Sequence, residues 1–321
     1  HGFMKTPSIK TQNNQVMPAG SRLWTPANIG GDLVYWLQPS GISAAVGTDT
    51  DTLNKNRWMD SSFNGYELRG PQNQSVSGVS NLQFQTAGIT FGTQRVGGHK
   101  CMQSAVGSGG GGGSFKDSDA PRIDPGTGAF TIIAVCKLII NAGATPYGSG
   151  QKLTIAADGE SGSSSASDFL FQLKPTSNSS SDPSTLVISA KCGSNTLSHT
   201  LESKSGTSQV FDEDAFMFGY DRDGSGNAEL FNDGASLATG TGHDADMADS
   251  GPRNFYGQVS AQATGFIYGA DNGSHRMAET ICFKNDDATT RILCEGYLAH
   301  KYGRQDKLAS THKYRYGPPK I

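Results

Sequence analysis

The chain has 321 residues, 42 of them glycine, and its 26 basic and 29 acidic side chains leave a net charge of −3. Because no run of five or more basic residues occurs, the sequence carries no electrostatic footprint for nucleic acid. No apolar stretch of about 18 residues suggests a membrane-spanning helix.

Glycine stands at nearly twice its usual share, which predicts many turns and few long helices. A chain of this length can bury enough surface for one large β domain or two small ones. The start lacks the charged and apolar regions of a secretion signal, so the expectation is a soluble chain, or one from which such a signal has been cleaved. Cys101, Cys136, Cys192, Cys282 and Cys294 are odd in number and widely spaced, with no C-x-x-C pair. They read as reduced thiols packed as small hydrophobes, as in a protein assembled in a reducing cytoplasm.

Residues 1–20 are polar, contain two prolines and show no period, which predicts an extended arm tied to its own domain or to a neighbouring chain. The folded domain is expected over 21–321. A mostly apolar strand runs from Leu33 to Leu37 and stops at Pro39, and Trp58 precedes an Asn64-Gly65 turn signal. Leu82, Phe84, Ile89 and Phe91 alternate as half-buried strands do. The glycine run Gly109–Gly113 lacks the Lys-Ser/Thr of a phosphate loop and reads as a flexible surface loop.

Phe130–Ile140 (FTIIAVCKLII) is β-branched and continuously apolar, which predicts a central strand buried on both faces. FLFQLK, STLVISAK, DAFMFGYDRDG and NAELFNDGASLA follow at strand length between turn residues, and GFIYGA and MAETICFK supply the last two strands. Regular spacing of this kind points to an antiparallel sandwich or barrel. One helix is expected near 287–302, capped by Asp286 or Asp287 and ended by Gly303. Its buried arc should hold Ile292, Leu293, Gly296, Tyr297 and Ala299, leaving Leu298 and Tyr302 for the tail 303–321 to cover.

The segments LWTPANIGGDLVYWLQPSG, RWMDSSFNGYEL, FTIIAVCKL, AELFNDGASL, MAETICFKNDDATTRILCEGYLAHKYG and THKYRYGPP occur in this order. Together they resemble the concanavalin A-like lectin/glucanase (laminin G-like) domains common in bacteriophage and marine bacterial proteins. The resemblance runs from about Leu23 to the end. It departs at His300, where an aromatic residue is usual, and at Lys313, where proline is. It implies an all-β, two-sheet antiparallel jelly-roll sandwich with one short C-terminal helix, whose rim loops often bind glycans.

Glucan-cutting enzymes of this fold carry E-x-D-x-x-E, and that spacing is missing; Asp212-Glu213-Asp214 is consecutive and reads as a solvated turn. A non-catalytic chain is therefore expected. Asp221 to Asn232 partly imitates a calcium loop, with Asp221 and Asp223 as the candidate metal ligands, but Asn232 stands where a bidentate Glu is required. His1 with a second histidine could in principle hold copper, although the rest of the chain does not resemble the enzymes that do so. Trp24, Trp36 and Trp58 read as core residues before sugar platforms.

The resulting expectation is a virion structural or adhesion protein, a phage capsid decoration or tail appendage at the virion surface that is assembled in the host cytoplasm. It would contact other capsid or tail proteins through the arm as part of a homo-oligomer or larger assembly, with a glycan as a further ligand. The alternative is a secreted or cell-surface carbohydrate-binding module.

Overall fold

The structure is a computed structural model. It describes residues 22–44, 56–65, 67–69, 89–104, 115–116, 125–140, 153–158, 169–175, 185–203, 215–246, 253–255, 258–259, 267–268 and 273–321. The arm 1–20 with His1, the run Gly109–Gly113 and the cluster Asp212-Glu213-Asp214 lie outside these residues.

In chain order the first strands are β1 (Leu33–Ala44), β2 (Asn56–Asp60), β3 (Glu67–Arg69), β4 (Ile89–Val96), β5 (His99–Ser104), β6 (Phe115–Lys116), β7 (Phe130–Ile140), β8 (Leu153–Asp158) and β9 (Phe169–Pro175). They are followed by β10 (Thr185–Cys192), β11 (Asn195–Ser203), β12 (Phe216–Arg222), β13 (Ala228–Asn232), β14 (Ala235–Gly240), β15 (Arg253–Phe255), β16 (Gln258–Val259), β17 (Ile267–Tyr268) and β18 (Gly273–Phe283). Helix α1 (Ala288–Lys301) comes last.

A large sheet has the order β14-β13-β12-β7-β18-β1-β2-β3, with the β4–β5 hairpin joined through β5 to β18. A smaller sheet has the order β11-β10-β9-β8-β15-β6. All their pairings are antiparallel, as the sandwich reading requires.

β7 lies at the centre of the large sheet and is buried on both faces, for the reason its unbroken apolar sequence suggests. Phe130, Ile132, Ala134 and Cys136 point into the core between the sheets, where they meet Phe169, Phe171 and Ile188 of the small sheet. Ile133 and Val135 point the other way, into a second core under α1 with Cys294, Leu298, Ala299 and Tyr302. Each fully buried Phe, Ile, Val or Leu among them contributes about 1.5–3 kcal/mol. All five cysteines are free and buried in these layers, and Trp24, Trp36 and Trp58 are buried as well.

The motif around Trp58 has a structural reason. The carboxylate of Asp60 accepts from Trp36 N at 2.7 Å, and Asn64 Nδ2 donates to the carbonyls of Leu33 and Val34 at 2.9 and 2.7 Å. Together they pin the turn after β2 against β1.

α1 begins where Asp287 caps it, accepting from Thr289 N at 3.1 Å and Thr290 N at 3.0 Å. It ends before Gly303, whose φ of 68° suits the left-handed position after a helix. The buried faces differ from the expected arc. Cys294, Leu298 and Tyr302, one turn apart, meet the sheet, whereas Gly296 faces the tail, so close to Tyr314 that an added Cβ would lie 2.5 Å from that residue's Cβ. The physical reason is that the helix is covered from two sides, so a single arc does not describe it. His300, the departure noted in the sequence, donates from Nε2 to the Tyr314 carbonyl at 2.7 Å and so holds the tail down. The tail then returns to the domain's beginning, where Trp24 N donates to Pro319 O at 3.0 Å and Ile321 N to Arg22 O at 2.9 Å.

Between sheet and helix lies a buried charge. A register shift in β18 between Met277 and Glu279 falls where Glu279 turns to the helix side. There its carboxylate accepts from Trp36 Nε1 at 2.6 Å and the Tyr302 hydroxyl at 2.8 Å, and pairs with Lys301 Nζ at 2.7 Å. These bonds satisfy a side chain with no solvent exposure.

Candidate functional site

The β12–β13 hairpin, the end of β14 and the start of α1 enclose a groove of about 570 Å³ lined by Asp221, Asp223, Asn227, Glu229, Thr239, Thr241, Asp286 and Arg291. Strand alternation sets this composition. Phe218 and Tyr220 belong to the sandwich core, so Asp221, the next residue along the strand, turns to the helix side. In the hairpin register Asp221 lies directly opposite Glu229.

Arg291 of α1 is the cation of the groove. Its guanidinium lies 3.8 Å from the centre of the Phe231 ring, its Nη1 donates to Glu295 at 2.7 Å, and its Nε stands 3.6 Å from the Asp221 carboxylate. Glu295 in turn contacts His312 Nε2 of the tail at 3.1 Å. A line of polar side chains thus runs from tail through helix to strand.

Burial pushes the Asp221 carboxyl from its ordinary 3.8 up to about 7, with Glu229, Asp286 and Glu295 adding to the rise and Arg291 opposing it. A carboxyl so displaced, in a cleft, is the pattern of a functional position.

Asp223 behaves differently. Its carboxylate accepts from Asn227 Nδ2 at 2.6 Å and from the backbone of Ser225 and Asn227, each at 2.8 Å, and these bonds hold it below the usual carboxylate range. It is the internal cap of a tight hairpin turn. Asp221 and Asp223, the two candidate calcium ligands, therefore line one groove. The residue at the twelfth position of the imitated loop, Asn232, stands at the far end of β13, about 13 Å beyond Ala228 at strand rise. Among the described residues no group of three or more His, Cys, Asp or Glu side chains is arranged to hold a metal ion.

The sequence singled out Asp221 and Asp223 but not Glu229, Asp286, Arg291, Asn227 or the threonines. Glu229 was within reach, since an Asp223–Asn227 turn sets Asp221 against it. Asp286 and Arg291 come from an element more than sixty residues away in sequence, and only the fold joins them. Several other candidates have structural partners. His99 contacts Lys301 O at 2.9 Å, and His243 contacts the Tyr220 hydroxyl at 3.1 Å. Trp24 and Trp36 pack edge-on against Tyr297.

No family model and no curated protein matches the chain. Among solved structures it is similar to the binding domain of Paraclostridial Mosquitocidal Protein 1, with a TM-score of 0.45, 11% identity, and 80% of this chain and 52% of that one covered. It is also similar to the binding domain of Botulinum neurotoxin DC in complex with rat synaptotagmin II (TM-score 0.45, 12% identity, 82% and 51% covered). A third similar structure is the Botulinum neurotoxin serotype G binding domain (0.45, 13%, 81% and 49%). The chain spans about half the length of these structures. At that level of likeness the functional reading has to come from the groove itself.

Chemically, the groove offers carboxylates, an amide, hydroxyls and one guanidinium, the planar and hydroxylic groups that read a polyol's hydroxyls. Four carboxylates against one arginine make it negative, so it disfavours anionic ligands and suits neutral or cationic ones.

Proposed function

We propose that this chain is a non-catalytic glycan-binding sandwich that serves at the surface of a virus particle, with the groove beside Asp221 holding a neutral saccharide. The observation that carries the reading is the groove's lining: Asp221, Asn227, Glu229 and Asp286 present acceptors and donors from three elements into one open cleft. Rim sites on a rigid sandwich are where such proteins place recognition. Five free, buried cysteines support assembly in a reducing compartment, and the ordered run of strand and helix signatures supports the virion context, with residues 1–20 as the segment that contacts neighbouring capsid or tail proteins.

The test is a panel of neutral oligosaccharides titrated into the full chain, compared with Glu229→Ala and Asp286→Ala. Binding that weakens about tenfold in either variant supports the reading; no binding, or binding indifferent to both changes, overturns the groove as the site. For the particle, co-sedimentation of the full chain but not of a chain lacking residues 1–20 is expected. Glycan binding by a protein that never associates with particles would favour the secreted module instead.

A further inference from the structure

The bonds that leave the groove through Arg291 end in the tail. We propose that Glu295 and His312 are positioning residues for the groove: they hold the Arg291 guanidinium where it meets a saccharide, so that affinity in the groove depends on the docked tail. The inference rests on the glycan-binding reading and adds to it the residues that aim the one cation of the groove's lining.

The groove by itself does not fix Arg291. Its Nε is buried yet makes no hydrogen bond among the described residues, and at 3.6 Å the Asp221 carboxylate is beyond hydrogen-bond reach. The Phe231 ring, 3.8 Å from the guanidinium carbon at its centre, attracts the cation without selecting a direction. The directional contact is the charge-assisted bond from Nη1 to Glu295 Oε1 at 2.7 Å.

Glu295 is held in turn from the tail. Tyr314 N donates to His312 Nδ1 at 3.2 Å, which leaves the ring proton on Nε2, and Nε2 donates to Glu295 Oε2 at 3.1 Å. Each carboxylate oxygen therefore serves one side, Oε1 the groove and Oε2 the tail. The side chains of His312 and Glu295 are 4% and 3% exposed, so water cannot readily replace either partner.

The turn between β13 and β14 closes the arrangement. Asp233 and Gly234 have φ of 49° and 77°, the left-handed pair of a two-residue hairpin turn. A Cβ on Gly234 would lie 2.9 Å from His312 Cδ2 and 3.1 Å from Glu295 Oε2, so the turn packs directly on the pair. Arg304 of the tail is bidentate to Asp233 at 2.9 and 2.7 Å. The two strands leaving this turn carry Glu229 and Thr239, directly opposite each other, into the groove. The tail thus grips both the cation and the hairpin, and a guanidinium set in advance needs little ordering when a ligand arrives.

The test is calorimetric titration of the full chain with maltotriose, cellotriose and lactose, each variant measured well below its melting temperature. His312→Ala is expected to weaken binding about fivefold or more, and to change nothing further in an Arg291→Ala background, because the two act through one contact. His312→Gln, whose amide supplies the donor of Nε2, is expected to recover most of the loss. Glu295→Gln is expected to weaken binding like His312→Ala, since an amide offers one accepting oxygen where two are needed. It carries the same cycle with Arg291→Ala if His312→Ala does not fold. By reciprocity, saturating saccharide slows tryptic cleavage after Lys313 in the wild type and not in Arg291→Ala. Binding that needs Glu229 and Asp286 but is indifferent to both Glu295→Gln and His312→Ala would sink this inference and leave the groove reading standing. Equal losses with and without Arg291 would show a structural role alone and overturn it as well. No binding of any of the three sugars sinks the groove reading and this inference with it.

Discussion

Replacing Asp221 by Asn exposes what the groove's charge costs the fold. Burial raises this carboxyl from 3.8 to about 7, so between those values the folded chain holds a proton that the unfolded chain has released. The stabilising contribution is complete below about pH 4 and is lost as pH rises through about 7. Three pH units at 1.36 kcal/mol each come to about 4 kcal/mol, an upper figure for a side chain that retains 16% exposure. Asn mimics the protonated acid in shape and cannot ionise. The stability of Asp221→Asn minus that of wild type should therefore be near zero at about pH 4 and climb to at most about 4 kcal/mol by about pH 8. Urea unfolding followed by circular dichroism across that range measures it. The difference curve matters more than either parent curve, because Asp233 is also raised by burial and His243 lowered, and both cancel on subtraction. Parallel curves for the two proteins would refute the reasoning.

Glu279→Ala should cost about 3–5 kcal/mol in urea unfolding, since it removes the counter-charge of the Lys301 ammonium and leaves Trp36 Nε1 and the Tyr302 hydroxyl without their acceptor; a loss under about 1 kcal/mol would mean the network is not holding α1. Gly296→Ala should destabilise by about 1–3 kcal/mol through collision with Tyr314, despite alanine's better helix propensity, and should speed tryptic release of the tail; an unchanged melting temperature would contradict the packing. Calcium held by Asp221 and Asp223 predicts heat when metal-free protein is titrated to about millimolar calcium, lost in Asp221→Asn, and a flat thermogram ends that proposal.

The architecture was legible wherever one residue pattern had one explanation. Phe130–Ile140 could be read as doubly buried because its apolar residues have no polar alternation to mark a wet face. The helix could be bounded because Asp287 and Gly303 are end signals with local causes. Its buried face could not be assigned the same way, because Tyr314 reaches Gly296 from a segment whose return path no local pattern encodes. The groove was half legible for a similar reason. Asp221 and Asp223 stood out through their spacing, which imitates a metal loop, but Asp223 proves to be bound up in its own turn. The partners that give Asp221 its character are assembled by sheet register and helix docking.

The pairing of Arg22–Trp24 with Pro319–Ile321 bears on how the domain carries load. The two segments run antiparallel, Leu23 bridging Lys320, so the chain enters and leaves from the same edge. Tension drawn between those two ends peels their hydrogen bonds one after another rather than shearing them together. The tail over α1 is then the first element to come away, and the sandwich core of β7, β12 and β18 bears force only after that strap has opened.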